Sequence, residues 1–337
     1  MQYRLFILIS LISLISITGL YAYAVTLDVT ILSEVEDDAT RELNGPMDAA
    51  ITTIAGKTYV VVSGGVDNGI EIIDISDPTS PTSVGSVTDD DVANRQGKFL
   101  KNANGNAITT IDGSTYAIIV ATADDGIEII DISDPTSPTS VGRLGDTGTN
   151  NADDSSRCTV ANEQRCLNGA KEVGIYTRSG STYAVVTAST DDGIEIIDIS
   201  DPTSPTSVGR LGEADDPDRE LDGAKGIAIE TINGTPYAIV GSLLDDGIEI
   251  IDISDPTSPT SVGRMNDDGD KCLDGAKGVR TTTINDKTYV VVSGQEDDCI
   301  EIIDISDPTS PTSVSRVVDT GTSLCTVANK ERCLGGV

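Results

Sequence analysis

Apolar and polar positions along the chain fall into short strand-length runs separated by turn-forming clusters, and the same succession recurs five times. The central run reads GIEIID at 69–74, 126–131, 193–198 and 247–252, and CIEIID at 299–304. Its isoleucines point to both faces, the pattern of a strand sandwiched between neighbouring sheets. Ahead of each stands a Tyr-centred apolar run (KTYVVVSG, STYAIIVAT, STYAVVTAS, TPYAIVGS, KTYVVVSG), and ahead of that an alternating stretch such as 226–232. Asn233-Gly234 and Asp112-Gly113 separate these two runs, and such pairs accept the positive φ angles of a tight hairpin. After the central run, Asp-Pro-Thr-Ser-Pro-Thr breaks the ladder, because proline lacks a donor and presets a turn. A short outer strand such as 260–265 closes the unit. From the Tyr to the Val of the TSV element there are always 25 positions, as from Tyr59 to Val84 or Tyr289 to Val314, so the unit core has no insertions.

Four strands per unit and five units predict an all-β chain, a β-propeller of four-stranded antiparallel blades with five complete repeats. The blades are expected at about 45–88, 103–144, 169–211, 223–265 and 275–318. Ile72, Ile129, Ile196, Ile250 and Ile302 should be buried. The rival architecture is a linear array of stacked β units with exposed end faces.

The IEIID word resembles that of the LVIVD repeat, a family of propeller-like repeats of exported and surface-attached prokaryotic proteins. The resemblance covers nearly everything after the first 24 residues. It implies a fold strongly and a biochemistry weakly, since the family carries no shared catalytic set.

The ends read differently. Residues 1–24 hold an early Arg4, an Ile/Leu-rich run and Ala22-Tyr23-Ala24, which reads as a signal peptide with a small-x-small cleavage site. The alternative is an uncleaved anchor, the one route by which a membrane would enter. Residues 26–33 match an outer strand, and 325–337 match the lead-in to a further repeat, so the sequence reads as a fragment of a propeller with at least one more blade.

Charge narrows the partners. The net charge of −33 excludes nucleic acid, whose phosphates need clustered Lys and Arg. With no histidine there is no Ser-His-Asp triad, His base or His-ligated zinc. Six cysteines in an exported chain point to disulfides. Cys158 with Cys166 and Cys325 with Cys333 bracket near-identical loops and read as local bridges, which leaves Cys272 with Cys299. For that last bridge the loop before the first strand must lean over the turn before the third.

All length variation lies between one unit's outer strand and the next unit's first strand. In a propeller those connections share a face with the turns Asp67-Asn68, Asp124-Asp125, Asp191-Asp192, Asp245-Asp246 and Asp297-Asp298. Asp124, Asp191 and Asp245 are expected to be exposed on that one common face. Oxygen-only clusters suit Ca2+, so these nine aspartates are the candidate ligands of a divalent cation, although no loop has the spaced Asp-x-Asp-x-Asp-Gly pattern. Ordinary turn chemistry accounts for the same residues. Two functions remain. One is a non-catalytic secreted or cell-surface module that binds protein or glycan. The other is a carboxylate-metal propeller hydrolase acting outside the cytoplasm, against which the near-identity of the blades argues.

Overall fold

A computed structural model describes residues 4–6, 34–36, 42–89, 97–146, 165–216 and 218–318. Within them the chain forms five four-stranded antiparallel sheets, one per repeat, each a meander in chain order. Blade 1 comprises Pro46–Ile54, Lys57–Gly64, Gly69–Asp74 and Thr82–Thr88. Blade 2 comprises Ala103–Ile111, Ser114–Ala121, Gly126–Asp131 and Thr139–Gly145. Blade 3 is Ala170–Arg178, Ser181–Ala188, Gly193–Asp198 and Thr206–Gly212. Blade 4 is Ala224–Ile232, Thr235–Ser242, Gly247–Asp252 and Thr260–Asn266, and blade 5 is Ala276–Ile284, Lys287–Gly294, Cys299–Asp304 and Thr312–Val318. Arg4–Phe6 pairs separately with Glu34–Glu36. The rest of the expected leader, the outer strand at 26–33 and the stub at 325–337 lie outside the described residues.

The hairpin between first and second strands has positive φ at both central positions, as at Asp112 (50°) with Gly113 (85°) and Asn233 (52°) with Gly234 (84°), the geometry that matches strand twist. First strands of successive blades abut from blade 1 through blade 5, which makes them the innermost. No such packing returns from blade 5 to blade 1 among the described residues, so the array is propeller-like without a closed ring.

Core forms between blades rather than within them. Ile70, Ile72 and Val87 of blade 1 pack on Leu100, Ile119, Ile130 and Ile132 of blade 2, and equivalent clusters fill the next three junctions. Ile72, Ile129, Ile196 and Ile250 are fully buried, as expected. Ile302 is only partly buried, against expectation, because among the described residues no further blade lies on its side of blade 5. Val314 and Val317 of the same blade are 55% and 36% exposed. On the leading face of blade 1, Val35 and Leu43 cover Val60, Val62, Ile73 and Ile75.

One glycine fixes how closely blades approach. A Cβ on Gly85, Gly142, Gly209 or Gly263 would stand 2.0–2.3 Å from the carbonyl oxygen of Pro135, Pro202, Pro256 or Pro308 in the following blade. Blade 5 carries Ser315 at the equivalent position, paired with Ile302 as Gly209 is with Ile196.

Cys272 and Cys299 are bridged, with Cα atoms 5.6 Å apart. The lead-in loop does lean across the sheet. Cys166 is disulfide-bonded too, while Cys158, Cys325 and Cys333 lie outside the described residues.

Candidate functional site: the acidic loop face and the axis

The acidic turns meet the lead-in loops on one face, as the topology requires. Their first aspartates accept backbone N–H groups from the lead-in of their own blade. Asp67 takes Asn44 N at 2.8 Å, Asp124 takes Lys101 N at 2.9 Å, and Asp191 takes Asn168 N at 2.9 Å. Asp245 takes Asp222 N at 2.7 Å and Asp297 takes Asp274 N at 3.1 Å. The second residue of each turn has a left-handed backbone, which Asn and Asp tolerate, with φ between 50° and 59° from Asn68 to Asp298. That conformation turns its side chain onto the next blade. Asp125 takes Gly169 N at 3.0 Å, Asp192 takes Gly223 N at 3.0 Å and Asp246 takes Gly275 N at 2.9 Å. Asn68 does the same with Asn102 N at 2.9 Å.

The expected exposure is therefore wrong. Asp124, Asp191 and Asp192 are buried, and Asp245 is partly buried, because the lead-in loops fold back over the turns that hold them. Each junction is a joint of carboxylates and amides. Burial pushes Asp191 up to about 7, with Asp146 and Asp125 adding to the effect. Burial and the carboxylates of Asp246 and Asp297 push Asp274 up to about 6.

At the junction of blades 3 and 4 the carboxylates come closest. Glu213, Asp222 and Asp245 each offer an oxygen within 4.8 Å of the others. Of the nine aspartates singled out in the sequence, Asp245 alone joins such a triad among the described residues. Its partners were missed because Glu213 follows the outer strand and Asp222 sits in the lead-in, away from any repeated acidic turn. Burial, then Asp245, Asp222 and Asp192, push Glu213 up to about 7. Glu220 beside it is pushed up to about 7 by burial, Asp245 and Glu249.

Sequence reasoning also passed over the glutamate of IEIID. Glu71, Glu128, Glu195, Glu249 and Glu301 are at most 1% exposed. One oxygen accepts a lead-in N–H, from Phe99 at 2.7 Å, Cys166 at 2.8 Å or Cys272 at 3.1 Å. The other accepts the hydroxyl of the TSV serine: Ser83, Ser140, Ser207, Ser261 or Ser313. Its fixed distance of 12 residues from that serine was the available signal.

The axis is a second candidate. First strands of all five blades line a cavity of about 290 Å3 with Asp48, Asn106, Glu172, Ile227 and Arg280 on its wall. Asp48 Oδ2 accepts Asn106 N at 2.8 Å, and Arg280 lies 4.0 Å from Glu172. Burial pushes the Glu172 carboxyl up while Arg280 pulls it down. The Asn106 amide is 7% exposed with neither terminal atom hydrogen-bonded. The blades are thus unlike one another where they meet at the axis, which removes the argument from blade identity against an asymmetric centre.

The LVIVD-repeat model matches the sequence five times, at 58–89, 115–146, 182–212, 237–267 and 288–319. No curated protein matches the chain by sequence. Among solved structures, a functionally unknown protein from Desulfotomaculum acetoxidans aligns with TM-score 0.56 and 12% identity, over 85% of this chain and 73% of that one. A Lactobacillus plantarum protein aligns with TM-score 0.56 and 13% identity, over 85% and 73%. A putative 6-phosphogluconolactonase from Bacteroides fragilis aligns with TM-score 0.53 and 14% identity, over 80% and 69%. At these identities the likeness speaks for the fold.

Proposed function

Because the chain is an LVIVD-repeat protein carrying five copies of that repeat, we propose that it is a non-catalytic interaction module, secreted or held at the cell surface, that binds protein or glycan. The observation that carries this is the division between its two loop faces. One repeats the same DPTSPT turn in every blade, each braced internally by its Asp, as Asp201 accepts Thr203 N at 3.0 Å. The other gathers the described ends of the connections whose length varies in the sequence, and clamps them by their backbone onto a rigid sheet. Variable loops on a fixed frame are a usual means of recognition. The Cys272–Cys299 bridge favours an oxidising compartment.

A second reading belongs to the axis, where Asp48, Asn106, Glu172 and Arg280 from four blades converge in one cavity. Carboxylates opposed to a guanidinium suit hydrolysis of a small polar substrate assisted by a metal ion. One experiment separates the two. Beads coated with the full chain should adhere to extracellular glycan or protein arrays, and altering loop residues 213–220 should abolish adhesion while altering 203–205 on the opposite face should not. Turnover of ester, phosphate or glycoside substrates that disappears with chelator and in Glu172→Gln would sink the binding-module reading.

A further inference from the structure

We propose that Glu213, Asp222 and Asp245 bind one hard divalent cation of the Ca2+ class at the junction of blades 3 and 4. The site lies on the face assigned to partner binding, but the proposal concerns the ion alone and stands apart from the identity of any partner.

Two features converge. Oxygens coordinated to one Ca2+ at about 2.3–2.6 Å lie no more than about 5 Å apart, and the three carboxylates meet that limit, each offering an oxygen within 4.8 Å of the others. Glu213 is 9% exposed, and its buried Oε2 has no hydrogen-bond partner. A buried carboxylate oxygen left without a partner is costly, and a cation removes that cost. A water molecule could satisfy that one oxygen, whereas a cation engages all three carboxylates at once.

The other junctions serve as internal comparisons. Asp222 is the lead-in residue whose N–H meets the first turn aspartate; Lys101 occupies its place between blades 1 and 2, Asn168 between blades 2 and 3, and Asp274 between blades 4 and 5, where Asp267 and not a glutamate stands in the place of Glu213. Glu213 is the residue whose N–H meets the carbonyl of the second turn residue, a place held elsewhere by Asp89, Asp146 and Asp267. Glutamate reaches one methylene further than those aspartates. Its short 3-10 turn, Glu213–Asp215, sets it at the mouth of the lead-in loop.

The test is equilibrium dialysis of the chelator-stripped full chain against Ca2+ up to about 1 mM, the range of extracellular modules, with thermal melts alongside. Wild type should bind one more ion than the Glu213→Gln/Asp222→Asn double variant, whose affinity at this site should fall by at least roughly 10–100-fold. The Ca2+-dependent rise in Tm should vanish with it. Asp222→Lys, which copies the first junction, should melt higher than wild type without Ca2+ and ignore added Ca2+; if it fails to fold, Asp222→Asn alone carries the comparison. Equal ion counts and affinities in wild type and the double variant, or no bound ion in wild type, would overturn the proposal. That failure would leave the adhesion assay, and the reading it tests, untouched.

Discussion

A charged residue in the middle of an apolar strand is usually a mark of the solvent face, yet in this chain it is the most deeply held acid of the blade. Glu195 joins the lead-in loop, through Cys166 N at 2.8 Å, to the outer strand, through the Ser207 hydroxyl. Burial raises the pKa of Glu195, as it does for Glu128 and Glu249, while the hydrogen bonds pull it back. Removing the carboxylate strands the buried Cys166 N–H, at about 1–3 kcal/mol, and the half-buried Ser207 hydroxyl at the lower end of that range. Glu195→Ala should therefore lose about 2–5 kcal/mol in urea unfolding, and Glu195→Gln, which keeps one acceptor, distinctly less. Equal and small losses in the two variants would show that the staple carries no weight.

Elements meet along the axis and along the outer strands, and the tightest contact is a glycine against a prolyl carbonyl. A Cβ on Gly209 would lie 2.0 Å from Pro256 O, with no flexible side chain to give way. Gly209→Ala should thus force blades 3 and 4 apart and destabilise by about 1–3 kcal/mol, the usual cost of overpacking. Ser315→Ala, with no blade on that side among the described residues, should be nearly neutral; comparable losses in chemical denaturation would refute this account of the junction. The strands themselves were legible, because two-sided burial demands the IEIID pattern and Asn-Gly demands a hairpin. The Cys272–Cys299 bridge was legible as well, since Cys299 replaces a glycine common to the other four copies of its turn. What stayed hidden depends on places where chain-distant segments fold together. The aspartates of the turns looked exposed because nothing in their own neighbourhood shows a lead-in loop closing over them. Asp48, Asn106, Glu172 and Arg280 sit far apart in the sequence at positions that break the repeat, so no shared word points to a common cavity.

Across the whole molecule the excess of acid shapes the response to pH. Asp191, Glu213 and Glu220, held near 7, and Asp274, near 6, bind protons more tightly folded than unfolded. The stability they contribute is full below their ordinary pKa of about 4 and drains away as pH rises towards 7. Asp74 and Asp304 work the other way. Hydrogen bonds from Ser76 first and then Lys57 hold Asp74 at about 2, and Lys287 first and then Ser306 hold Asp304 at about 2. Their contribution is present above about pH 4 and lost as pH falls towards 2. In chelator, Tm should peak at mildly acidic pH, about 4 to 5, and decline steadily towards pH 8. A calorimetric maximum at or above neutrality would contradict these assignments.

Ser315 bears on a hazard peculiar to an open array. A trailing blade shaped like its predecessors offers a second copy of the chain the seat that blades 2 to 5 take on one another. Because that contact joins head to tail, each copy added would present a fresh seat, and growth would run on as a fibre. The visiting blade 1 would bring Pro78 against position 315, where a Cβ stands in place of the four internal glycines. Val35 and Leu43 shield the other end. A serine side chain at the last described blade and a short covering segment at the first thus disfavour head-to-tail addition of copies. Ser315→Gly combined with Val35→Asp should sediment as concentration-dependent polymers, whereas a double variant that remains a monomer would show that the ends repel copies by other means.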